Sequence, residues 1–186
     1  MNNKTNLLIT TNINKQPYEK ILTNHKIINL TGESGSGKSY FAKQYFSNNE
    51  YIIIDTDEVF SRYDKSTGIN RELGTFFRNK CGELPSLCEN FDEIYLEMIN
   101  YFKGSNKTLV IDSAQFRNVK DISILKGKVI IIRTCINTCF ERVIQRFKNQ
   151  KPNATLEEIE LYKNKKMKMY IWYKSLNDFL LKIDKL

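Results

Sequence analysis

Eight consecutive residues of this chain have the types and spacing of a phosphate clamp. Gly32-Glu33-Ser34-Gly35-Ser36-Gly37-Lys38-Ser39 satisfies G-x-x-x-x-G-K-[ST] at every fixed position. The glycines let the backbone curl so that successive amide N–H groups point inward at phosphate oxygens. A helix is expected to begin at the end of the loop, and its positive end favours the same anion. Lys38 is then placed to reach the β- and γ-phosphates of a nucleoside triphosphate, and the Ser39 hydroxyl to ligate magnesium. Tyr40 follows directly and joins the expected nucleotide-binding set.

Two further sets of carboxylates lie downstream. Asp112 ends the apolar run Thr108-Leu109-Val110-Ile111, at the carboxyl edge of a strand, where a magnesium-organising Asp is needed in such a site. The residue after it is Ser113. The glutamate that positions hydrolytic water in ATPases of the helicase and motor type is therefore missing, as is the Asn-Lys-x-Asp run of guanine-specific GTPases. The second set is Asp55-Thr56-Asp57, closing the strand Tyr51 to Ile54. Two carboxylates spaced by one residue put Asp55 near the metal and Asp57 towards an acceptor, whose hydroxyl proton Asp57 would accept. The competing arrangement has Asp57 capping the next helix and Asp55 solvated.

The elements that must hold these residues follow from apolar patterning. Ile27-Ile28-Asn29-Leu30-Thr31 reads as a buried strand entering the loop, and Phe41, Ala42, Tyr45 and Phe46 mark an amphipathic helix leaving it. Val129 to Ile132 is fully apolar and is expected at the centre of the sheet. Residues 58–102 read mainly as helix, broken near Ser66-Thr67-Gly68 and again at Gly82 to Pro85. A helix over residues 137–148 puts Cys139, Phe140, Val143, Ile144 and Phe147 on one side. Thr155 and Glu158 form a capping box that opens a last long helix, acidic in its first turn and basic later, as its dipole favours. Tyr170-Ile171-Trp172-Tyr173 within it reads as core. A short strand at Leu7 to Thr11 falls within the peripheral opening segment, and Phe179 to Ile183 is the candidate for a fifth strand. Short apolar strands alternating with helices imply an α/β fold, a three-layer parallel sheet with helices on both faces.

Composition is compatible with one such domain over residues 1–186. Hydrophobic residues make up 41% and charged residues 27% of the chain, enough to bury a single core. Residues 1–24 are polar and read as a peripheral segment. The opening stretch lacks the basic and apolar blocks of a signal peptide, and no run approaches the ~20 apolar residues of a membrane span. The expectation is a cytoplasmic protein with no membrane partner. Cys81, Cys88, Cys135 and Cys139 lack zinc-ribbon spacing, and His25 is the sole histidine, so reduced thiols are expected. The net charge of +8 attracts polyanions, whether nucleic acid or small phosphorylated ligands.

The phosphate loop, Asp55-Thr56-Asp57 and Asp112, in this order, resemble the nucleotide and shikimate kinase group of P-loop proteins over roughly residues 27–172. The resemblance implies Mg2+ and ATP as cofactor and donor, a helical acceptor-binding insertion over residues 58–102, and a short arginine-bearing lid over residues 142–154. It carries Arg142 and Arg146, four apart and so on one helix face, to the transferring phosphate. Arg62, Arg71 and Arg78 in the insertion become candidate acceptor ligands. Arg117 does too, because that group has an arginine closely following the Asp that ends the third strand. Here the run Asp112-Ser113-Ala114-Gln115-Phe116-Arg117 is one residue longer and lacks that group's Gly and Pro. The expected activity is phosphate transfer to a hydroxyl or phosphate of a nucleoside, nucleotide or related metabolite. A kinase of polynucleotide 5′ ends and a non-catalytic ATP-binding regulatory module are the alternatives.

Overall fold

A computed structural model describes residues 6–10, 26–61 and 66–183, with only the backbone of 6–10. Five strands, β1 (Asn6–Thr10), β2 (Ile27–Gly32), β3 (Tyr51–Asp55), β4 (Thr108–Asp112) and β5 (Lys128–Ile132), form one sheet in the order β1-β5-β2-β4-β3. Every pairing is parallel. The helices are α1 (Lys38–Tyr45), the single turn α2 (Thr56–Val59), α3 (Gly68–Cys81), α4 (Phe91–Tyr101), α5 (Ile136–Gln150), α6 (Leu156–Lys166) and α7 (Met169–Ile183). Two 3-10 turns, Ala114–Asn118 and Ile122–Ile124, link β4 to β5.

The sheet is apolar on both faces, which is why its strands read as nearly continuous hydrophobic runs. Ile28 and Leu30 of β2, Val110 of β4, and Ile130 and Ile132 of β5 pack beneath Phe41, Ala42 and Phe46 from α1 and its end. The alternate residues Leu109, Ile111, Val129 and Ile131 face a larger cluster with Leu73 and Phe77 of α3, Tyr95 and Met98 of α4, and Leu176 and Phe179 of α7. Phe41, Phe46 and Tyr95 are essentially fully buried. Each such side chain contributes roughly 1.5–3 kcal/mol relative to exposure.

The chain order creates a reversal at β2. After β2 the chain passes to β3, returns to insert β4 between them, and only then places β5 on the other side of β2. In an open parallel sheet, the carboxyl ends of strands at such a reversal border a crevice. The loop after β2 and the aspartates ending β3 and β4 all lie at that edge.

Four expectations need correction or sharpening. Phe179 to Ile183 is not a strand; these residues are the last turns of α7, with Phe179, Leu180 and Ile183 buried. The fifth strand is β1, paired Asn6↔Lys128 through Thr10↔Ile132, so part of the segment read as peripheral is built into the sheet as an edge. Thr11 of the expected strand at Leu7 to Thr11 lies outside the described residues. The single long last helix is two, α6 and α7, separated at Met167 and Lys168. Its opening stands: Thr155 accepts from the Glu158 amide while Glu158 accepts from the Thr155 amide. Finally, Tyr170 and Ile171 are exposed, Ile171 by 67%, so the aromatic run is core only in part: Trp172 and Tyr173 are half-buried, Trp172 against Cys139, Val143 and Met169. The helix face turns because the buried positions of α7 are Met169, Leu176, Phe179, Leu180 and Ile183.

Candidate functional site

The loop between β2 and α1 is pressed between two parts of the chain. A Cβ on Gly32 would meet the Ile132 carbonyl oxygen at 2.5 Å, and one on Gly35, whose φ is +81°, would meet the Cys139 carbonyl oxygen at 2.5 Å. Glycine is needed here for close backbone approach as well as for conformation. Side chains hold the loop from outside. Thr134, after β5, donates its hydroxyl to the Ser36 carbonyl at 2.9 Å, and Arg142 Nη1 donates to the Gly35 carbonyl at 3.2 Å. Lys38 Nζ donates back to the Glu33 carbonyl at 3.2 Å, arching over the loop it terminates. Ser36 Oγ is buried without a hydrogen-bond partner.

At the next strand end, the Ser39 hydroxyl donates to Asp112 Oδ2 at 3.0 Å. Asp112 is only 3% exposed. Burial pushes its carboxyl up to about 6; Lys38 and the Ser39 hydrogen bond oppose that rise, while Asp55 and Asp57 add to it. Asp55 is the register partner of Asp112 on the neighbouring strand, so the two carboxylates end adjacent strands side by side. Burial, then the Asp57 charge, also raises the Asp55 carboxyl above its ordinary value.

The arrangement around Asp55 reverses the competing sequence expectation. Asp55, not Asp57, caps the short helix: its Oδ1 accepts from the amides of Asp57 at 2.9 Å and Glu58 at 3.4 Å. An Asp whose own backbone is still extended is well placed to reach those free amides. Asp57, on the first turn of α2, is exposed. The two strand ends are tied by a bond the sequence reading did not anticipate, Thr56 Oγ1 to Ser113 Oγ at 2.8 Å, both residues buried. Small hydroxyl residues next to each strand-end Asp were the available signal.

The candidate residues thus divide. Gly32, Glu33, Ser34, Gly35, Ser36, Gly37, Lys38, Ser39, Asp55, Asp57, Asp112 and Arg142 gather at one edge of the sheet. Tyr40, in the first turn of α1, is 62% exposed. Arg146 is exposed one turn beyond Arg142 on α5. In the insertion, Arg78 is half-buried on α3, close to Gly74 where that helix meets the Val59 carbonyl of α2. Arg71 donates its Nε to the Ser66 carbonyl at 3.0 Å. Arg62 lies outside the described residues. Arg117 is turned inward, its Nη1 at 3.6 Å from Glu33 Oε2 and its guanidinium 4.7 Å from the Trp172 ring centre. A cleft of about 540 Å³ lies between α3 and α4, lined by Phe77, Lys80, Pro85, Ile94 and Glu97 among others, and includes none of the loop residues.

No protein-family model matches this chain, and no curated protein matches it. The site is therefore read from its own chemistry. Ser39 and Asp112 offer a hydroxyl and a carboxylate, the hard oxygen donors that suit magnesium, an ion usually held by one or two protein groups alongside phosphate oxygens. Among the described residues, no group of three or more His, Cys, Asp or Glu side chains is gathered as a metal cage, and no helix is long and apolar enough to cross a membrane.

Proposed function

We propose that this chain is a small P-loop kinase of the nucleotide and shikimate kinase-like kind, moving the γ-phosphate of Mg-ATP to a small acceptor. The observation that carries the reading is the Ser39–Asp112 hydrogen bond at 3.0 Å. It joins the last residue of a phosphate-loop sequence to the strand-end carboxylate of the adjacent strand. Asp55 beside Asp112, and Arg142 against the loop, support the same reading.

On this reading, residues 32–38 wrap the triphosphate with backbone amides, and Lys38 leaves the Glu33 carbonyl to meet the β- and γ-phosphates. Ser39 and Asp112, with Asp55 adjacent, would hold magnesium, which would supply neutralisation of phosphate charge. Tyr40 is available to the nucleotide at the start of α1. Asp57, exposed at the front of α2, accepts the proton of the acceptor hydroxyl as its oxygen bonds to the γ-phosphorus. The bond from that phosphorus to the β-γ bridging oxygen breaks, and ADP departs. Arg142 and Arg146 balance charge on the transferring group. The insertion, with Arg78 of α3, borders the acceptor. Small hydroxyl compounds, nucleosides and nucleotides are the acceptor classes to be screened.

The test is transfer of label from γ-labelled ATP to a panel of nucleosides, nucleotides, sugars, cofactor precursors and RNA 5′ ends. Transfer that disappears in Lys38→Ala and Asp57→Asn, with ATP affinity kept in Asp57→Asn, supports the proposal. Full turnover in Asp57→Asn rejects that residue as the base. ATP binding without transfer to any acceptor indicates a regulatory module instead. Transfer to RNA ends with a steep salt dependence indicates a polynucleotide kinase.

A further inference from the structure

Arg117 stands two turns of chain beyond Asp112, yet it faces the phosphate loop. The 3-10 turn that carries it is fixed at both ends of its own short span. Ser113 Oγ accepts from the Gln115 amide at 3.0 Å, and Phe116 is fully buried among Phe91 and Tyr95. These contacts leave Arg117 directed between Glu33 of the loop and Trp172 of α7. Its side chain is 6% exposed and that of Glu33 2% exposed. The separation of 3.6 Å is an ion-pair distance longer than a hydrogen bond, and neither Glu33 carboxylate oxygen has a hydrogen-bond partner.

We propose that Arg117 is a positioning residue for the phosphate loop, not an acceptor ligand, and that through it nucleotide binding is registered at Trp172. This rests on the reading of residues 32–39 as a triphosphate loop. A buried carboxylate stays ionised through nearby positive charge or hydrogen-bond donors. Burial raises the Glu33 carboxyl, and two cations oppose that rise, Arg117 first and Lys38 second. Lys38 also donates to the Glu33 main-chain carbonyl. When Lys38 turns to a triphosphate, its charge is neutralised there and its bond to residue 33 is lost. Arg117 is then the principal counter-charge of Glu33, and the guanidinium must draw closer to it. The same guanidinium lies 4.7 Å from the centre of the Trp172 ring, a cation–π contact that depends on distance and angle. A shift at Glu33 is therefore a shift at the indole.

Trp172 is the single tryptophan of the chain, so an indole emission change is assigned to this residue, which packs against Cys139, Val143 and Met169 as well as Arg117. The experiment is a titration of the full chain with Mg-ATP, read in parallel by tryptophan fluorescence and by calorimetry. The expected result is a saturable change in emission with the same Kd as the heat. The paired variant Glu33→Gln/Arg117→Met removes both buried charges together. It is expected to bind Mg-ATP about tenfold more weakly, a coupling of the usual size within one network, with no emission change on binding. In the transfer reaction, Arg117→Lys is expected to raise KM for ATP and leave KM for the acceptor unchanged. Heat without any emission change in the native chain overturns the proposal while leaving the triphosphate reading intact. A native-sized emission change in the paired variant, or a selective rise in acceptor KM for Arg117→Lys, overturns it too. Absence of both heat, at two temperatures, and emission change rejects the triphosphate reading and this inference together.

Discussion

Ser39 and Asp112 are 73 residues apart in sequence, and the hydroxyl of one donates to the carboxylate of the other at 3.0 Å. The contact exists because β4 is laid directly beside β2, with Leu30 of β2 in register with Asp112. One bond thereby joins the start of α1 to the carboxyl end of the neighbouring strand.

Replacing Ser39 by Ala removes this donor and leaves Asp112 Oδ2 without it. The stability loss is expected to be modest, about 1 kcal/mol, because Ser39 itself is exposed and water can reach the gap. The larger effect is on Mg-ATP. Affinity measured with magnesium is expected to fall well below native, while affinity for ATP in EDTA stays close to native. Equal losses in both titrations would contradict a metal role for Ser39.

Asp112 makes the metal-free protein sensitive to mildly acidic pH. Its carboxyl holds a proton up to about 6 in the folded chain, whereas in the unfolded chain it ionises in the ordinary range near 3.8. Between those values the folded form binds more protons than the unfolded form, so stability falls as pH rises through that window and levels off above it. Denaturant midpoints measured across it in EDTA are expected to show this decline. Asp112→Asn should flatten it, and Asp55→Asn should move it to lower pH, because the Asp55 charge helps raise Asp112.

Gly35 and Gly82 separate two reasons for glycine. Both have positive φ, +81° and +78°, but only at Gly35 would a Cβ strike backbone, the Cys139 carbonyl; at Gly82 nothing lies within 4 Å. Gly82→Ala is expected to cost about 1–2 kcal/mol from conformation alone. Gly35→Ala should lose more than that and also lose nucleotide affinity, since the loop must move off α5. Thermal melts of the two variants, with and without nucleotide, make the comparison.

Asp57 is exposed and caps nothing, so Asp57→Asn is expected to leave the melting temperature unchanged. Asp55→Asn, which alters the helix cap, should lower it. If Asp57 is the base, its variant loses about 10²- to 10⁴-fold in transfer rate, the usual contribution of a positioned proton acceptor. Single-turnover rates at saturating ATP measure that loss directly.

How much of this was legible in the sequence follows the range of the forces involved. The loop, its flanking strand and helix, the strand ends at Asp55 and Asp112, and the Thr155 cap depend on local patterns: apolar periodicity, glycine conformational freedom and side chains satisfying nearby amides. Those patterns stand in the order of the residues, and the structure follows them within a residue or two. Strand neighbours do not. That β1 supplies the edge strand while residues 179–183 are helical depended on which apolar surfaces bury one another, as Phe179 and Leu180 do beneath the sheet. The same holds for the roles within the site. Sequence spacing left open whether Asp57 faces an acceptor or caps α2, and the backbone direction after β3 gave the cap to Asp55 instead. Arg117 read as a candidate acceptor ligand from its place after Asp112, with nothing in the local sequence to reveal its partners. Only packing of the 3-10 turn and α7 against the loop, elements distant along the chain, put Glu33 and Trp172 beside it.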